Sequence, residues 1–291
     1  MSARRLALAA ATALAAAMGL AGCSQQQAQA FMKNINESGG LQQTLKGLRE
    51  PTQAEEIDIG RGVTETLLGA RPLYDDPELQ RYVNEVGLWV ARQSDRPDLP
   101  WHFGVNDSDY INAFAAPGGY VIVTKGMMKE LRNEGELAGV LGHEIAHVVQ
   151  KHHLKALRKS AVMNLLGAGV AAASAEKQYA ELVQKLVGPT KELYARGLDK
   201  SDEFEADRIG VVLCTRAGYD PYSLPAVLQT LAAANPNDAY LALLFKTHPA
   251  PTARLDQLAI GMGTRFDVFG GSPENASRFE QATRTLRIAS R

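Results

Sequence analysis

Cysteine is scarce in this sequence of 291 residues, and neither sign of charge dominates it. Cys23 and Cys214 are the two cysteines, which are too few for a disulfide framework. The 31 basic and 32 acidic side chains give a formal net charge of -1, so the composition gives no indication of nucleic acid or of a polyanionic partner. Long apolar runs are also missing after the N-terminus, because the best candidate, 161–175, is too short to cross a bilayer and contains Asn164 and Ser174.

The first residues have the pattern of an export signal. Arg4 and Arg5 precede an apolar run at 6–21 that is rich in alanine and leucine. The Leu-Ala-Gly-Cys sequence at 20–23 resembles a bacterial lipobox, whose cysteine is lipidated and becomes the new N-terminus. We therefore predict a signal peptide at 1–22 and a lipid anchor on Cys23.

Lipidation of Cys23 predicts a periplasmic protein that is held at a membrane by acyl chains. Ser24 stands where an aspartate would favour retention at the inner membrane, so we expect the outer membrane. Residues 23–50 are mostly polar with little apolar periodicity, which is typical of a tether. A folded domain is predicted to begin near Pro51.

The most informative motif is His143-Glu144-x-x-His147. Residues four apart on a helix share a face, so both imidazoles can bind one divalent cation while Glu144 lies beside it. Structural zinc sites usually have four protein ligands, whereas two histidines, one further ligand and an open position indicate a hydrolase. Chance occurrence of a short motif is the alternative, but Asn133 and Glu136 provide a helix start just upstream. We predict one zinc ion per chain.

His153 raises a rival hypothesis, because it has the spacing of the third histidine in the metzincin pattern. That pattern needs a glycine at position 150, where the chain turns back, and this sequence has Gln150. On an unbroken helix His152 and His153 point away from the ligand face. We expect both to be solvated or to support the site from outside the ligand set.

The acidic run at 202–207 offers a third ligand instead. Glu203 and Asp207 are four residues apart, so Glu203 can bind the metal while Asp207 orients a ligand histidine. Spacing alone does not separate Glu203 from Glu205. A solvated acidic first turn of a helix is the alternative without function.

Periodicity predicts an α+β fold that is mostly helical with a small antiparallel sheet. The tail at 264–291 has no assigned role beyond a surface helix from Pro273. The stretch at 154–198 is expected to be a helical insert that does not span a membrane. The other expected helices are 52–68, 76–93, a helix from 133 through the histidine motif, 221–234, 239–245 and 254–259, and the expected strands are 101–106, 110–115 and 120–124.

Four motifs occur in the order seen in one family, which they resemble over roughly residues 51–260. They are Asn112 to Tyr120, His143 to His147, Glu203 to Asp207, and Thr247-His248-Pro249 with Arg254 downstream. The family is that of the HtpX/BepA/LoiP-like zinc metallopeptidases, which includes the endopeptidase of prenylated CAAX proteins. The resemblance implies a zincin-like metallopeptidase domain at 51–263.

The same resemblance implies roles for individual residues. The glutamate matching Glu203 is the third zinc ligand in that family, Glu144 matches the base, and Asp207 matches a residue that supports the site. Arg254 is expected to support the ligands as well. His248 is expected near the open zinc position, either stabilising the developing oxyanion or occupying the metal as a fourth ligand.

The strand at 110–115 is expected to form the edge of the cleft and to bind a peptide as an added strand. The residues expected to bind substrate are Asn112, Ala113, Phe114 and Ala115. The resemblance implies a zinc endopeptidase of the cell envelope that degrades unfolded or misassembled envelope proteins, with the outer-membrane protein assembly machinery as a partner. A chaperone or assembly factor with a structural or regulatory zinc is the alternative.

Overall fold

The computed structural model describes residues 50–157, 197–235 and 237–288, and helices make up most of these residues. The predicted signal peptide, nearly all of the tether and most of the predicted insert lie outside these residues. The helices are α1 (Gln53–Ala70), α2 (Pro77–Ala91), α3 (Lys125–Glu130), α4 (Glu134–Val149), α5 (Lys200–Arg216), α6 (Ser223–Ala233), α7 (Ala242–Thr247), α8 (Pro251–Met262), α9 (Ala276–Ala282) and α10 (Arg284–Ile288). The described residues from Pro51 onward form one compact unit.

A three-stranded sheet lies beside the helices in the order β1-β3-β2, where β1 is His102–Asn106, β2 is Ala113–Ala116 and β3 is Tyr120–Thr124. β2 and β3 form the predicted antiparallel hairpin. β1, however, pairs with β3 in parallel, so the sheet is mixed and the prediction of an antiparallel sheet is wrong for β1. The segment between β1 and β2 carries the chain across to the far side of β3, and alternation in the sequence does not reveal such a crossover.

The strand predicted at 110–115 begins later than expected. The Ile111 amide donates to the Tyr240 carbonyl at 2.9 Å, so the chain there pairs with a loop instead of the sheet. Asn112 makes the first contact with β3, because its carbonyl accepts from the Thr124 amide at 3.0 Å. Since β-partners alternate, Ala113 and Ala115 then direct their main-chain polar groups away from β3.

Helix α4 runs through the core and is buried along nearly its whole length. Asn133 accepts a hydrogen bond from the Glu136 amide at 2.8 Å, which is the predicted N-cap. The Glu136 carboxylate binds the Arg132 amide instead of the Asn133 amide, so the capping box is only half formed. Apolar α4 residues that are fully buried, such as Leu137, anchor the helix in place.

Helices α4 and α5 cross at a pair of glycines. A Cβ on Gly142 would lie 2.9 Å from the Gly210 carbonyl oxygen, and a Cβ on Gly210 would lie 2.8 Å from the His143 amide nitrogen. Side chains are therefore excluded at the crossing, and the two backbones touch. This contact is next to His143.

Helix α1 holds the turn between β2 and β3. Its start is a complete capping box, in which Thr52 accepts from the Glu55 amide and Glu55 accepts from the Thr52 amide. A Cβ on Gly60 would lie 1.6 Å from the Pro117 carbonyl oxygen, so only glycine permits this approach. The first helix of the domain thus packs directly on the turn that leads from β2 into β3.

Most described side chains of the C-terminal helices are exposed, in agreement with the predicted surface helix from Pro273, but two of them belong to the core. Phe279 of α9 is fully buried, and Leu286 of α10 is nearly so.

The carboxylate of Glu134, at the start of α4, is also fully buried. Its partners are the Tyr82 hydroxyl, the Tyr219 hydroxyl, the Asn275 amide group and the Arg278 guanidinium.

Among the described residues, none of the helices combines the length and the apolar character that crossing a bilayer requires. The apolar stretch at 161–175 lies outside those residues.

Candidate metal centre and catalytic site

The centre of the site is a triad formed by two helices. His143 and His147 lie one turn apart on α4, and their Nε2 atoms are 3.1 Å apart. Glu203, in the first turn of α5, places Oε2 at 3.7 Å from His143 Nε2 and Oε1 at 3.6 Å from His147 Nε2. All three side chains are buried.

These separations fit a metal ion. Zinc bonds of about 2.0–2.2 Å in a tetrahedral arrangement put neighbouring ligand atoms roughly 3.3 Å apart. The triad has two neutral nitrogen donors and one carboxylate, a set that zinc accepts and that leaves a fourth position open. His143, His147 and Glu203 are therefore a group that can hold a metal.

Asp207 and Arg254 stand behind His143. Nδ1 of His143 lies 2.9 Å from Asp207 Oδ1, and Arg254 donates to both carboxylate oxygens of Asp207 at 2.9 and 2.5 Å. Burial alone would raise the pKa of Asp207, but the Arg254 guanidinium and His143 outweigh it and hold that pKa well below its usual range. Asp207 is thus a buried carboxylate that can orient the ring of His143.

Glu144 is buried beside the triad. Burial raises the pKa of its carboxyl group, an effect that His143 and His248 partly offset. A raised pKa brings a carboxylate closer to the proton affinity that a general base needs near neutral pH. Glu144 lines a small cavity together with His147 and Glu203, so its position suits a base acting on a water at the triad.

His248 lies against Glu203 and outside the ligand triad. Its Nδ1 is 2.6 Å from Glu203 Oε2. Burial lowers the pKa of His248, but the facing carboxylate of Glu203 more than compensates, so the pKa is raised. Burial also opposes ionisation of Glu203, yet its pKa is lowered to about 2 by the charge of His248 and the hydrogen bond between them.

His152 contradicts the expectation of an unbroken helix. Helix α4 ends at Val149, Lys151 adopts a left-handed conformation with φ of 57°, and residues 152–157 are helical again. The turn brings His152 Nδ1 within 3.0 Å of His147 Nδ1, and His152 is fully buried. The prediction that it points away is therefore wrong.

His153 also approaches the site, because its ring centroid is 5.4 Å from that of His147 and it lines the cavity beside Glu144. It is not part of the metal-binding triad. The sequence carries no signal for this turn, since a non-glycine residue with positive φ has no reliable motif. A second group that could hold a metal consists of His152, Asp202 and Glu205.

Three of the four residues predicted to bind substrate line the same cavity. Ala113, Phe114 and Ala115 of β2 line it together with Glu144 and His248. Asn112 is fully buried, and its Oδ1 accepts from the Ala113 amide at 3.0 Å. β2 is thus next to the triad. The Asn112 side chain accepts a hydrogen bond from the Ala113 amide, which is the first β2 amide that is directed away from β3.

Comparison with known proteins identifies the family. The sequence pattern of peptidase family M48 matches residues 77–260, which contain the triad, Glu144, His248 and Arg254. The chain belongs to peptidase family M48. The predicted resemblance is confirmed, and the M48 domain is that of a zinc metallopeptidase, with His143, His147 and Glu203 as the group able to bind the metal.

Several characterised M48 proteins are similar to this chain. The beta-barrel assembly-enhancing protease of Escherichia coli (strain K12) is 33% identical over 208 residues, which cover 69% of this chain and 42% of that protein. The protein of the same name from Yersinia pestis is 31% identical over 235 residues, covering 78% and 46%. The mitochondrial metalloendopeptidase OMA1 of Arabidopsis thaliana is 29% identical over 189 residues, covering 64% and 36%. The chain therefore spans less than half the length of these relatives.

Proposed function

We propose that this protein is a zinc-dependent endopeptidase of the bacterial cell envelope that degrades unfolded or unassembled proteins. The observation that carries the proposal is the buried carboxylate of Glu144 beside the triad of His143, His147 and Glu203. A purely structural metal site has no use for a carboxylate with a raised pKa at its open side.

The roles of the side chains follow from their positions. Zinc held by the triad supplies a Lewis acid that polarises the scissile carbonyl and lowers the pKa of a water. Glu144 takes the proton of the attacking water and then delivers it to the leaving amine. Asp207, paired with Arg254, keeps His143 in the orientation that directs Nε2 to the triad.

We further propose that the peptide lies along β2. The main-chain groups of Ala113, which are directed away from β3, would pair with it as an added strand, with the peptide displacing Asn112 Oδ1 from the Ala113 amide, which places a peptide carbonyl beside Glu144. Main-chain pairing gives little sequence selectivity. The residues next to Glu144 on its other side are largely apolar, such as Val140, Leu224 and Leu244, so the surroundings of this carboxylate contain little water.

The location that we propose is the periplasmic side of the outer membrane, with Cys23 as the lipid anchor. The support is the lipobox-like sequence at 20–23 and the polar segment that follows it. The name of the Escherichia coli relative supports substrates or partners in the assembly of beta-barrel proteins. The same name also favours a second candidate function, that of an assembly factor in which zinc has a structural or regulatory role.

The test is the Glu144→Gln variant. We expect it to retain zinc, because the ligands are unchanged, and to lose roughly 10²–10⁴-fold in the rate of cleavage of an unfolded protein, because the base is gone. Glu280→Gln changes an exposed glutamate on α9 and is the matched control. Cleavage by Glu144→Gln at the wild-type rate would refute the mechanism, and a wild type that binds zinc but cleaves nothing would favour the assembly factor.

A further inference from the structure

The two ligand histidines are arranged in the same way. Each directs Nε2 to the triad and Nδ1 to a supporting side chain behind it. For His143 that side chain is Asp207, at 2.9 Å. For His147 it is His152, at 3.0 Å.

His152 in turn contacts an acidic residue. Its Nε2 lies 3.3 Å from Glu205 Oε2, in the second turn of α5. The three groups form a chain from the triad to the surface, because His147 and His152 are buried whereas the side chain of Glu205 is 44% exposed. Glu203 and Glu205, which spacing in the sequence could not separate, thus occupy different positions, one in the triad and one at the end of this chain.

We propose that His152 and Glu205 are positioning residues of the metal centre, which fix the ring of His147 through two consecutive hydrogen bonds. When Nε2 of His147 binds zinc, the proton of its neutral ring is on Nδ1, so that nitrogen can only donate. Nδ1 of His152 must then accept. The proton of His152 is left on Nε2, where it faces the Glu205 carboxylate.

These positions of the ring protons argue against a second cation bound by His152, Asp202 and Glu205. A cation there would need a lone pair on His152 Nε2. In the hydrogen-bond chain that nitrogen carries the ring proton and has no lone pair to offer. If both histidines bound cations through Nε2, both neutral rings would carry their proton on Nδ1, and two N–H groups would face each other at 3.0 Å unless one ring lost its proton and became an imidazolate. The hydrogen-bond chain and a second cation therefore exclude each other while His147 holds zinc.

The backbone supports this role. The left-handed conformation of Lys151 is the feature that turns His152 toward His147, and conformations of this kind are costly for a residue with a side chain. Asp202, one turn before Glu205 on α5, is 3.9 Å from His152 Nε2 and is too distant for a hydrogen bond. Asp202 is therefore the natural control for charge near His152.

The inference rests on the zinc site of the proposed function but not on peptide cleavage. Residues that hold the outer nitrogen of a ligand histidine typically contribute 10–100-fold to metal affinity. The experiment measures zinc affinity by competition with a chelator, which requires no turnover. A chain that binds zinc but cleaves no protein would refute the proposed function and leave this inference standing.

Four variants test the chain. His152→Leu removes both hydrogen bonds at similar size and should lower zinc affinity by about 10–100-fold. His152→Asn places Oδ1 where Nδ1 lies, so it keeps the acceptor for His147 and should recover most of that loss. Glu205→Ala should lower the affinity by less than His152→Leu, and Asp202→Asn should leave it unchanged.

The protonation of the rings gives a second measurement. In the zinc-loaded wild type, nitrogen-15 spectra should show a protonated Nδ1 on His147 and a protonated Nε2 on His152. Wild-type zinc affinity in both His152→Leu and Glu205→Ala would overturn the proposal, as would two zinc ions per chain with an unprotonated His152 Nε2. If His152→Leu fails to fold, the partly exposed Glu205→Ala and the spectra of the wild type still decide the question.

Discussion

Nδ1 of His248 lies 2.6 Å from Oε2 of Glu203, so a residue outside the triad already occupies one oxygen of the ligand carboxylate. Oε1 of Glu203 does not take part in this contact and lies 3.6 Å from Nε2 of His147. The interaction links the turn after α7 to the first turn of α5, and it makes His248 part of the environment of the zinc.

The first prediction concerns His248→Ala. Zinc affinity should fall by roughly 10-fold, because the donor that orients Glu203 is lost. Turnover then separates the two roles that the sequence left open. It should fall if His248 stabilises the transition state and rise if His248 blocks the open position, and unchanged affinity and turnover together would remove His248 from the site.

A second prediction tests the ligand set. Glu203→Ala should remove zinc from the purified protein, because it leaves two ligands, whereas His153→Ala should retain it. The measurement is the zinc content after dialysis. Loss of zinc in His153→Ala with retention in Glu203→Ala would mean that the third ligand is His153.

The third prediction concerns the position of the peptide. Ala113→Pro removes an amide that is directed away from β3, and it should reduce cleavage of peptides of unrelated sequence by the same factor. Zinc content should be unchanged. Ala113→Gly keeps the amide and is the control, and a loss confined to one peptide would argue against binding through the main chain.

The sequence predicted the two histidines of the triad from local spacing, whereas Glu203 was expected as the third ligand from the resemblance to a family, since spacing did not separate it from Glu205. The spacing of His143 and His147 follows from the pitch of one helix, and the same pitch relates Glu203 to Asp207. His152 was placed wrongly because its position depends on the backbone of one residue, Lys151, whose type does not signal a turn. The parallel pairing of β1 was missed for a similar reason, since residue patterns report which face of a strand is buried but not which neighbour it joins.

The C-terminal segment shows a different limit. A single phenylalanine in a polar stretch produces no periodic pattern, so sequence reasoning placed this helix on the surface. Phe279 is nevertheless part of the core.

Phe279 also provides the fourth prediction. Phe279→Ala should lower the free energy of unfolding by about 3–5 kcal/mol, because it empties a fully buried site. Urea denaturation measures the effect. Val268→Ala, at a side chain that is 82% exposed, should change stability by no more than about 0.5 kcal/mol. Equal stability of the two variants would show that α9 does not contribute to the core in solution.

The fifth prediction tests the anchor. Cys23→Ser should release the protein from membranes while the released protein keeps its peptidase activity, because the predicted lipid site is far in sequence from the catalytic residues. Fractionation of cells followed by an activity assay is the measurement. A variant that stays in the membrane fraction would indicate a second anchor, for which 161–175 is the candidate.

The glycine crossing of α4 and α5 separates the stability of the apolar core from the geometry of the metal ligands, two properties that are often linked in metalloproteins. Because Gly142 and Gly210 bring the two backbones into contact, the spacing between the histidines and Glu203 does not depend on how well side chains pack between the helices. Substitutions in the surrounding apolar core can therefore accumulate and alter the melting temperature while the coordination sphere stays the same. Substitution of Gly142 or Gly210 is much more restricted, since even alanine would push the ligand-bearing helices apart.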